Sequence, residues 1–515
     1  MDNLITIENM KVFLVLTICG SAILLLLAKI WKFFRMWQSV SKIPGPPGVP
    51  ILGNILEFVP GDLAQNFRVV KKFMKCGRNV KAWFGPFPII LIYDKDDIQK
   101  IIGTKQAESR GPLATKLLKE VCLNGLFSSE GNVWKRHRKI VQSTFHNNVL
   151  KNFVDNFSKN SLILTERLKT VADGESFDIF RYIGDCTFDV LFETAFAYNM
   201  DIQKGCNVSL AKNILRINDI LTQRCTNPWL LNDTMFRLTK MSKEFAQLNS
   251  IMHGTVAKLI EERCNSFRES AKGKLDVDDA DNMTKSKPVL LDILISDGQL
   301  SDYDIRGELL TALLAGTETT ATTCCYVLCA LSEHQQVQEK VLEEQRRIFC
   351  KDFLRPVAAE DVSRMVYLEQ VIKETIRILP PVIFVHRQMD EDTLLHDGCV
   401  LPAGVFTLIF TYGVHRDPEA FPDPDRFDPE RFSPENTLGR HPYSYIPFGA
   451  GRRICVGYKY ALSEAKTILS SILRRYRVLE TKGAVSAVED KLQLGIITVP
   501  KEGVYIKLLP RETEI

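Results

Sequence analysis

The cysteine at position 455 lies in a segment whose residue types could hold a metal-binding thiolate. Within Phe448–Gly457, three glycines flank Cys455, and glycine can turn the backbone through positive φ without a Cβ clash. Two arginines in the same segment bring positive charge, which favours a deprotonated sulfur. Apolar residues recur at helical spacing after Gly457, which predicts a helix whose N-terminus stabilises an anion beside it. Taken alone, Cys455 could also be one ordinary buried thiol among 13 cysteines.

A second group of polar residues interrupts an apolar stretch in the middle of the chain. Leu309–Ala315 is apolar on most faces, and the segment Gly316-Thr-Glu-Thr-Thr320 follows directly. We expect a long buried helix, opened by a capping box at Ser301–Asp304 and ending near Ser332. Threonine hydroxyls that bond to the carbonyl four residues earlier can loosen a helix, and an acid beside an alcohol suits proton delivery. In isolation, the group could instead be a polar patch on a helix surface.

Both segments match patterns of one enzyme family. Phe448–Gly457 fits Phe-x-x-Gly-x-Arg-x-Cys-x-Gly, and Ala315–Thr320 fits Ala/Gly-Gly-x-Asp/Glu-Thr-Thr. On these motifs the chain resembles the cytochrome P-450 family, in which a cysteine thiolate is the axial ligand of a haem. Gly131–Arg138 is similar to the Trp-x-x-x-Arg helix of that family, whose two side chains reach a haem propionate.

The resemblance implies a role for each residue of the site. Thr319 would place its hydroxyl in the oxygen-activation pocket, and Glu318 would help to relay protons from solvent to it. Cys455 would bind the haem iron. The cofactor-binding residues implied in this way are Cys455, Arg453, Trp134, Arg138, Arg387, Phe448 and Gly449. Glu374 and Arg377, joined by Arg431, would stabilise the structure around the haem and take no part in the chemistry.

One departure from related sequences bears on how the haem is held. The segment 360–374 resembles the clan of fatty-acid omega-hydroxylases and related insect enzymes. Several members of that clan carry a glutamate before the glycine of the long-helix motif, and it forms an ester with a haem methyl. This chain has Ala315 at that position. We therefore expect haem b held non-covalently, apart from the bond between the Cys455 thiolate and iron.

The N-terminus predicts a membrane anchor. Val12–Ala28 carries no charged residue, and seventeen residues is the lower limit for a membrane span. Lys29, Lys32 and Arg35 follow it, so the positive-inside rule places the rest of the chain in the cytosol. A cleaved signal peptide is the alternative, but the residues before the span are acidic and no small-residue cleavage site is evident. We expect a single-pass anchor in the endoplasmic reticulum, the microsomal membrane.

Composition and a segment rich in proline and glycine divide the chain into three parts. We predict an anchor at residues 1–36, a hinge at 37–50 that includes Pro44–Pro50, and a catalytic domain at 51–515. The net charge of +4 is too small to indicate nucleic acid as a partner. The scattered cysteines favour a reducing compartment. The expected fold class is mainly α with a smaller β region, with the haem between the long helix and the cysteine loop.

The resemblance implies a haem-thiolate monooxygenase that inserts one atom of dioxygen into a lipophilic substrate at the lipid bilayer. The substrate could be a fatty acid, a hormone-type lipid or a xenobiotic. NADPH would supply electrons through a separate cytochrome P-450 reductase, and cytochrome b5 is a further candidate donor. Lys135, Arg136, Lys139, Arg452 and Lys459 could attract such an acidic partner.

Two other functions stay open at this point. A haem-thiolate isomerase or dehydratase would act on peroxides without a reductase, and it would not need the Glu318–Thr319 pair. A haem-based gas-binding protein should carry a signalling module, and the sequence after the cysteine helix suggests none. A requirement for NADPH and reductase, together with product formation, would distinguish the monooxygenase from both.

Overall fold

The computed structural model describes residues 2–103, 108–273, 288–500 and 502–511. Most of the described residues lie in α-helices, which we number in chain order. The helices are α1 (Asp2–Ser41), α2 (Leu63–Phe73), α3 (Lys95–Gly103), α4 (Pro112–Cys122), α5 (Gly131–Thr144), α6 (Asn147–Leu168), α7 (Phe180–Phe196), α8 (Val208–Thr226), α9 (Pro228–Leu231), α10 (Asp233–Arg237), α11 (Lys240–Gly273), α12 (Leu290–Ser296), α13 (Asp302–Gly316), α14 (Glu318–Glu333), α15 (Gln335–Phe349), α16 (Ala359–Arg364), α17 (Val366–Ile378), α18 (Thr411–Val414), α19 (Pro434–Thr437), α20 (Tyr458–Arg475) and α21 (Ala484–Asp490).

The strands among the described residues form three small sheets. They are β1 (Asn79–Phe84), β2 (Phe87–Ile92), β3 (Ser176–Asp178), β4 (Phe384–Gln388), β5 (Thr393–Leu394), β6 (Val400–Leu401), β7 (Phe406–Phe410), β8 (Tyr476–Val478) and β9 (Tyr505–Pro510). The largest sheet has the order β1-β2-β7-β4, in which β2 and β7 are parallel and the other pairs antiparallel. The predicted fold class, mainly α with a smaller β region, is confirmed.

Helix α14 lies at the centre of the molecule. Every residue from Thr320 to Ser332 is buried, so this helix contacts protein on all sides. It packs against α7, α17 and α20, and its side chains belong to one large apolar cluster with those helices. Because α20 follows Cys455 in the chain, this packing positions the cysteine loop relative to the central helix.

The long helix predicted from the capping box is present, but it is interrupted. Ser301 accepts a hydrogen bond from the Asp304 amide at 3.2 Å, and the Asp304 carboxylate accepts one from the Ser301 amide at 3.3 Å. This reciprocal pair begins α13, as the sequence predicts. Thr317 separates α13 from α14, although its φ of −90° and ψ of −62° remain in the right-handed helical region, and α14 continues to Glu333. The polar motif therefore lies at a junction of two helices.

Helix α1 has the length and composition needed to cross a membrane. Within Phe13–Ser41 an 18-residue window reaches a mean hydropathy of 2.4, and the large apolar side chains of this segment are exposed. The last residues of the helix contact the rest of the protein, because Val40 and Ile43 are fully buried in a cluster with Leu395 of the β5–β6 region. Residues 37–41, which we predicted as the start of the hinge, belong to helix α1. The division of the chain at residues 36 and 50 stays a prediction.

Candidate functional site

The cysteine loop is a tight turn held by its own backbone. Gly449 and Gly451 have φ of 71° and 67°, a conformation that glycine adopts readily. A Cβ on Gly451 would lie 2.4 Å from the carbonyl oxygen of Ile102, so that position also requires glycine for space. The Cys455 amide donates to the Phe448 carbonyl at 2.9 Å and closes the loop. Gly457 has φ −93°, so it does not use the positive φ that the sequence suggested for the glycines of this loop.

The side chain of Cys455 is exposed, yet the protein surrounds its sulfur closely enough to affect its ionisation. Burial raises the pKa of the thiol, while the Gly457 amide and the charge of Arg138 act in the opposite direction. The sequence attributed this positive charge to Arg452 and Arg453. In the structure Arg452 forms a 2.6 Å ion pair with Glu108 instead, and Arg138 is the cation that acts on the sulfur.

Helix α5 and the cysteine loop are joined by two arginines. Trp134 and Arg138 share one face of α5, as their i, i+4 spacing predicts. Arg138 donates to the Ile454 carbonyl at 2.8 Å. Arg453 lies over the Trp134 ring at 4.2 Å from its centre, and it also donates to the carbonyls of Glu108 and Ser129 at 3.0 and 2.9 Å. The structure thus brings together Trp134, Arg138 and the residues next to Cys455.

Three arginines form a buried group beside this loop. Arg387 is the fourth residue of β4 and is 2% exposed, and Arg110 precedes helix α4. Burial, followed by the charge of Arg387, lowers the pKa of Arg110 to about 9. Burial, followed by the charge of Arg453, lowers the pKa of Arg387 to about 10. Burial, followed by the charge of Arg110, lowers the pKa of Arg453 to about 9. Each of the three guanidinium groups is therefore influenced by the charge of another, and all three remain cationic at neutral pH.

This buried group lacks the carboxylates that such cations need. The buried Nε–H groups of Arg110 and Arg387 donate to no partner among the described residues. Two carboxylates, Glu108 and Glu130, act on the cluster, and Glu108 is already shared with Arg452. Buried charges are normally paired, so this cluster fits a ligand that brings its own carboxylates. Haem carries two propionates and meets that requirement.

The metal-ligating side chains near Cys455 also fit an iron that is held within a macrocycle. No cluster of three or more His, Cys, Asp or Glu side chains that could hold a metal ion occurs within the described ranges. A single thiolate can retain an iron when a macrocycle supplies the remaining equatorial ligands, as in haem-thiolate proteins. The side chains present therefore fit haem better than a bare metal ion.

The α13–α14 junction presents the second part of the site. The Thr319 hydroxyl donates to the Ala315 carbonyl at 2.9 Å, the back-bonding that the sequence predicts. Ala315 is exposed, although the preceding Leu313 and Leu314 are 1% and 3% exposed. Leu191 of α7 lies 3.2 Å from the position that a Cβ on Gly316 would take, so glycine permits close packing here. The helix face at Ala315 is therefore open next to a hydroxyl.

Glu318 is a carboxyl group in an apolar setting. Its Oε2 accepts a 2.8 Å hydrogen bond from the Nδ2 of Asn218 on helix α8. Burial, and to a smaller extent the charge of Asp219, raise the pKa of Glu318 to about 7. The hydrogen bond from Asn218 acts in the opposite direction and lowers the pKa. A carboxyl group that titrates near neutral pH can both hold and release a proton under physiological conditions.

Two of these side chains were not singled out from the sequence. Arg110 lies in a short irregular segment that matched no pattern, so nothing in the sequence distinguished it. Asn218 did leave a signal, because it is a polar residue on the buried face of α8 between Ile214, Ile217 and Leu221. A buried amide on an apolar helix face requires a hydrogen-bond partner, which is a reason to examine it.

The Glu374, Arg377 and Arg431 group is assembled as the resemblance implied. Glu374 and Arg377 are both fully buried, and two hydrogen bonds of 2.7 and 2.8 Å join them. Arg431 lies 3.5 Å from the same carboxylate. Arg377 also donates to the carbonyls of His415 and Pro424, which connects α17 to the loops that follow it.

Comparisons with known proteins agree with this geometry. The sequence model of the family described as Cytochrome P450 matches residues 43–508. Cytochrome P450 4g15 of Drosophila melanogaster is 30% identical, covering 93% of this chain and 94% of its own length. Cytochrome P450 4V2 of Homo sapiens is 32% identical, covering 97% of this chain and 96% of its own length. Cytochrome P450 4c3 of Drosophila melanogaster is 32% identical, covering 96% of this chain and 94% of its own length. The chain therefore belongs to the cytochrome P450 family of haem-thiolate monooxygenases.

Proposed function

We propose that this chain inserts one atom of dioxygen into a lipophilic substrate, with Cys455 as the haem ligand and with electrons from NADPH delivered by a separate reductase. The observation that carries the proposal is the buried group of Arg110, Arg387 and Arg453 beside the cysteine loop. The charges of these arginines act on one another, and the unpartnered Nε atoms of Arg110 and Arg387 suit the carboxylates of two propionates. Trp134, Arg138, Phe448 and Gly449 would complete the cofactor-binding surface.

The protein's own groups prepare the thiolate. The Gly457 amide and Arg138 favour the ionised sulfur against the desolvation that the surrounding protein causes. Helix α20 begins at Tyr458, so its N-terminus lies beside the sulfur and favours negative charge there. Haem bound in this way supplies the reductive activation of dioxygen. Because Ala315 has no carboxylate, we propose that no ester forms between this helix and the haem.

Glu318 and Thr319 would deliver protons to the oxygen side of the haem. The reaction reduces one oxygen atom to water, which consumes two protons. Glu318 holds a proton on its carboxyl group at pH values below about 7. The Thr319 oxygen donates its own hydrogen to Ala315 and keeps lone pairs that can accept a second hydrogen bond. The pair can therefore pass a proton from solvent into the pocket.

The surroundings of the site favour an apolar substrate. One hydrophobic cluster contains Leu126, Leu313 and Phe236, and Ile496 packs against it. These side chains come from four separate segments that the resemblance places around the substrate. The resemblance also places Val382–Phe384 beside the substrate, and this segment packs against a different cluster through Ile383 and Phe384. A fatty acid, a hormone-type lipid or a xenobiotic would bury apolar surface against such walls.

An electron donor would bind near the cysteine loop. Lys135, Lys139 and Arg452 line a surface groove of about 410 Å³ together with Arg138 and Ile454. Lys135 and Arg452 share Glu108 at 3.7 and 2.6 Å, so positive charge remains in excess there. An acidic surface on cytochrome P450 reductase, or on cytochrome b5, would complement this groove. Arg136 instead lies 3.7 Å from Asp304 and lines a neighbouring groove with Asp292.

Helix α1 would hold the enzyme in the membrane. Its exposed apolar side chains need a hydrocarbon environment, and Lys29, Lys32 and Arg35 follow the span. We propose a single-pass anchor in the endoplasmic reticulum with the catalytic domain in the cytosol. Deletion of residues 2–29 should release the protein from membranes washed with carbonate, and full retention of that variant would contradict the proposal.

The central experiment tests both the ligand and the electron source. Lipophilic compounds are screened through the spin-state change of the bound haem, and the best binder is incubated with NADPH and reductase. We expect product only when both are present, and a thiolate-type spectrum of the reduced, carbon monoxide-bound protein. Cys455→Ser should abolish that spectrum, whereas Cys225→Ser should not. Turnover of a hydroperoxide without reductase, but not of the screened compound, would favour an isomerase.

A further inference from the structure

The hydrogen bond between Asn218 and Glu318 joins two helices across the site. Asn218 lies on α8 and is 6% exposed, and Glu318 is the first residue of α14. The Nδ2 of Asn218 donates to the Glu318 Oε2 at 2.8 Å. The Oδ1 of Asn218 is buried and has no partner within the described part of the chain. The amide is therefore placed by its bond to Glu318 and not by a wider polar network.

Few other groups influence Glu318. Asp219, next to Asn218 on α8, raises its pKa, and Glu318 in turn acts on Tyr326, two turns further along α14. The salt bridges between described residues do not include Glu318, so no cation there fixes its orientation. Because the carboxyl group is largely buried, the single donor on α8 determines which way it points.

Helix α8 is itself fixed to the walls of the site at two further positions. Thr222 lies one turn after Asn218, and its hydroxyl accepts a hydrogen bond from the Ile496 amide at 3.4 Å. Arg224 is 1% exposed and binds Glu120 of α4 at 2.7 Å and Asp233 of α10 at 2.9 Å. The helix therefore contacts the substrate-wall segments and Glu318 at the same time. Any displacement of α8 would move the amide away from the acid.

We propose that Asn218 is a positioning residue, whose amide, carried on α8, holds the Glu318 carboxyl group in the orientation for proton transfer. The inference rests on the proton relay proposed above and adds the residue that orients its acid. Asn218 does not touch the reacting atoms and acts through Glu318.

Loss of the amide has two expected effects on Glu318. The hydrogen bond from Asn218 lowers the pKa of the carboxyl group, so its removal should raise that pKa, by about one pH unit for a bond to an ionised acceptor. The carboxyl group should also sample other orientations, so product formed per NADPH consumed should fall. Substrate binding should change little, because the apolar walls are intact.

Infrared difference spectroscopy of the full-length holoprotein can measure the pKa of the Glu318 carboxyl group directly. The protonated carboxyl band of Glu318 is identified as the band that Glu318→Gln removes, and it is titrated with pH. Asn218→Ala should move its midpoint upward. Asn218→Asp keeps the shape of the side chain but adds negative charge beside Glu318, so it should move the midpoint at least as far. Asn213→Ala, an asparagine on the same helix, serves as the matched control and should leave the midpoint unchanged.

The outcomes separate this inference from the proposed function. An unchanged midpoint in both Asn218 variants would overturn the inference, even if the wild type is an active monooxygenase. A shifted midpoint with unchanged product per NADPH would also overturn it, because the hydrogen bond would then be structural only. Absence of a thiolate-type spectrum would count against the proposed function, whereas the infrared titration does not depend on that spectrum. A shifted midpoint together with lower coupling supports the inference.

Discussion

The guanidinium group of Arg453 lies 4.2 Å from the centre of the Trp134 ring, and this contact fixes the cysteine loop to helix α5. Arg453 also donates to three backbone carbonyls, so its planar guanidinium group makes contacts on several sides. We predict that Arg453→Lys retains the charge but loses these contacts, and that the purified protein binds haem at a several-fold lower ratio to polypeptide. The ratio is measured from the haem and protein absorbance.

Arg452→Lys provides the matched control for that prediction. Arg452 is adjacent in sequence, but its side chain is about half exposed and pairs with Glu108 at the surface. Exposed pairs of this kind contribute at most about 1 kcal/mol, and lysine can replace arginine in them. Equal loss of haem in both variants would mean that the Trp134 contact has no special part in holding the loop.

The fold was predictable from the sequence where a local rule determined it. The capping box at Ser301 begins α13, and the apolar run after it is buried, because both depend on residues close together in the chain. The break at Thr317 was suggested by the threonines, but the close approach of Leu191 from α7 to the neighbouring Gly316 was not. That approach is a tertiary contact, and no local pattern encodes it.

The site was predictable only in part for a similar reason. Trp134 and Arg138 share a helix face by spacing alone, and the structure places them there. Arg110 joins Arg387 and Arg453 through the packing of three distant segments, and Arg138 acts on Cys455 although Arg452 is closer in sequence. Contacts of this kind depend on how the chain folds back, so residue type and spacing did not identify them.

A second prediction concerns the buried Glu374–Arg377 pair. Glu374→Gln removes one charge and leaves the fully buried Arg377 without its counterion. Breaking a buried pair in this way costs about 3–5 kcal/mol, so we expect a sharp fall in the yield of folded haem protein and in its thermal midpoint. Glu430→Gln, which disrupts the exposed pair with Lys340, should cost less than about 1 kcal/mol. A similar midpoint for the two variants would argue against a structural role for the buried pair.

A third prediction follows from the proposed proton relay. Thr319→Ala removes the hydroxyl at the open helix face, so electrons taken from NADPH should appear as hydrogen peroxide and the yield of product per NADPH should fall several-fold. The hydrogen peroxide released and the product formed per NADPH are measured with the best binder of the substrate screen. Thr311→Ala removes a hydroxyl with the same type of bond, a 2.8 Å contact to the Gly307 carbonyl, from the preceding helix. Unchanged coupling in Thr319→Ala, or an equal loss in Thr311→Ala, would contradict the relay.

A fourth prediction concerns the stability of the fold at low pH. His415 is fully buried, and burial together with the charges of Arg377 and Arg416 lowers its pKa from 6.5 to about 3. The unfolded chain therefore binds a proton at His415 at pH values where the folded protein does not. The free energy of unfolding should fall as the pH drops from about 6.5 towards 3, by up to about 1.4 kcal/mol per pH unit from this group.

Replacement of His415 separates this contribution from that of other acid-sensitive groups. The Nε2 of His415 accepts a hydrogen bond from the Ile446 amide at 3.0 Å, and a glutamine carbonyl at this position can accept the same bond without titrating. Urea unfolding of His415→Gln between pH 6.5 and pH 5 should therefore show a shallower loss of stability than the wild type, whereas His146→Gln, at an exposed position, should follow the wild type. If His415→Gln retains the full slope, proton uptake at His415 is not what destabilises the folded state, and the acid sensitivity must come from other buried groups.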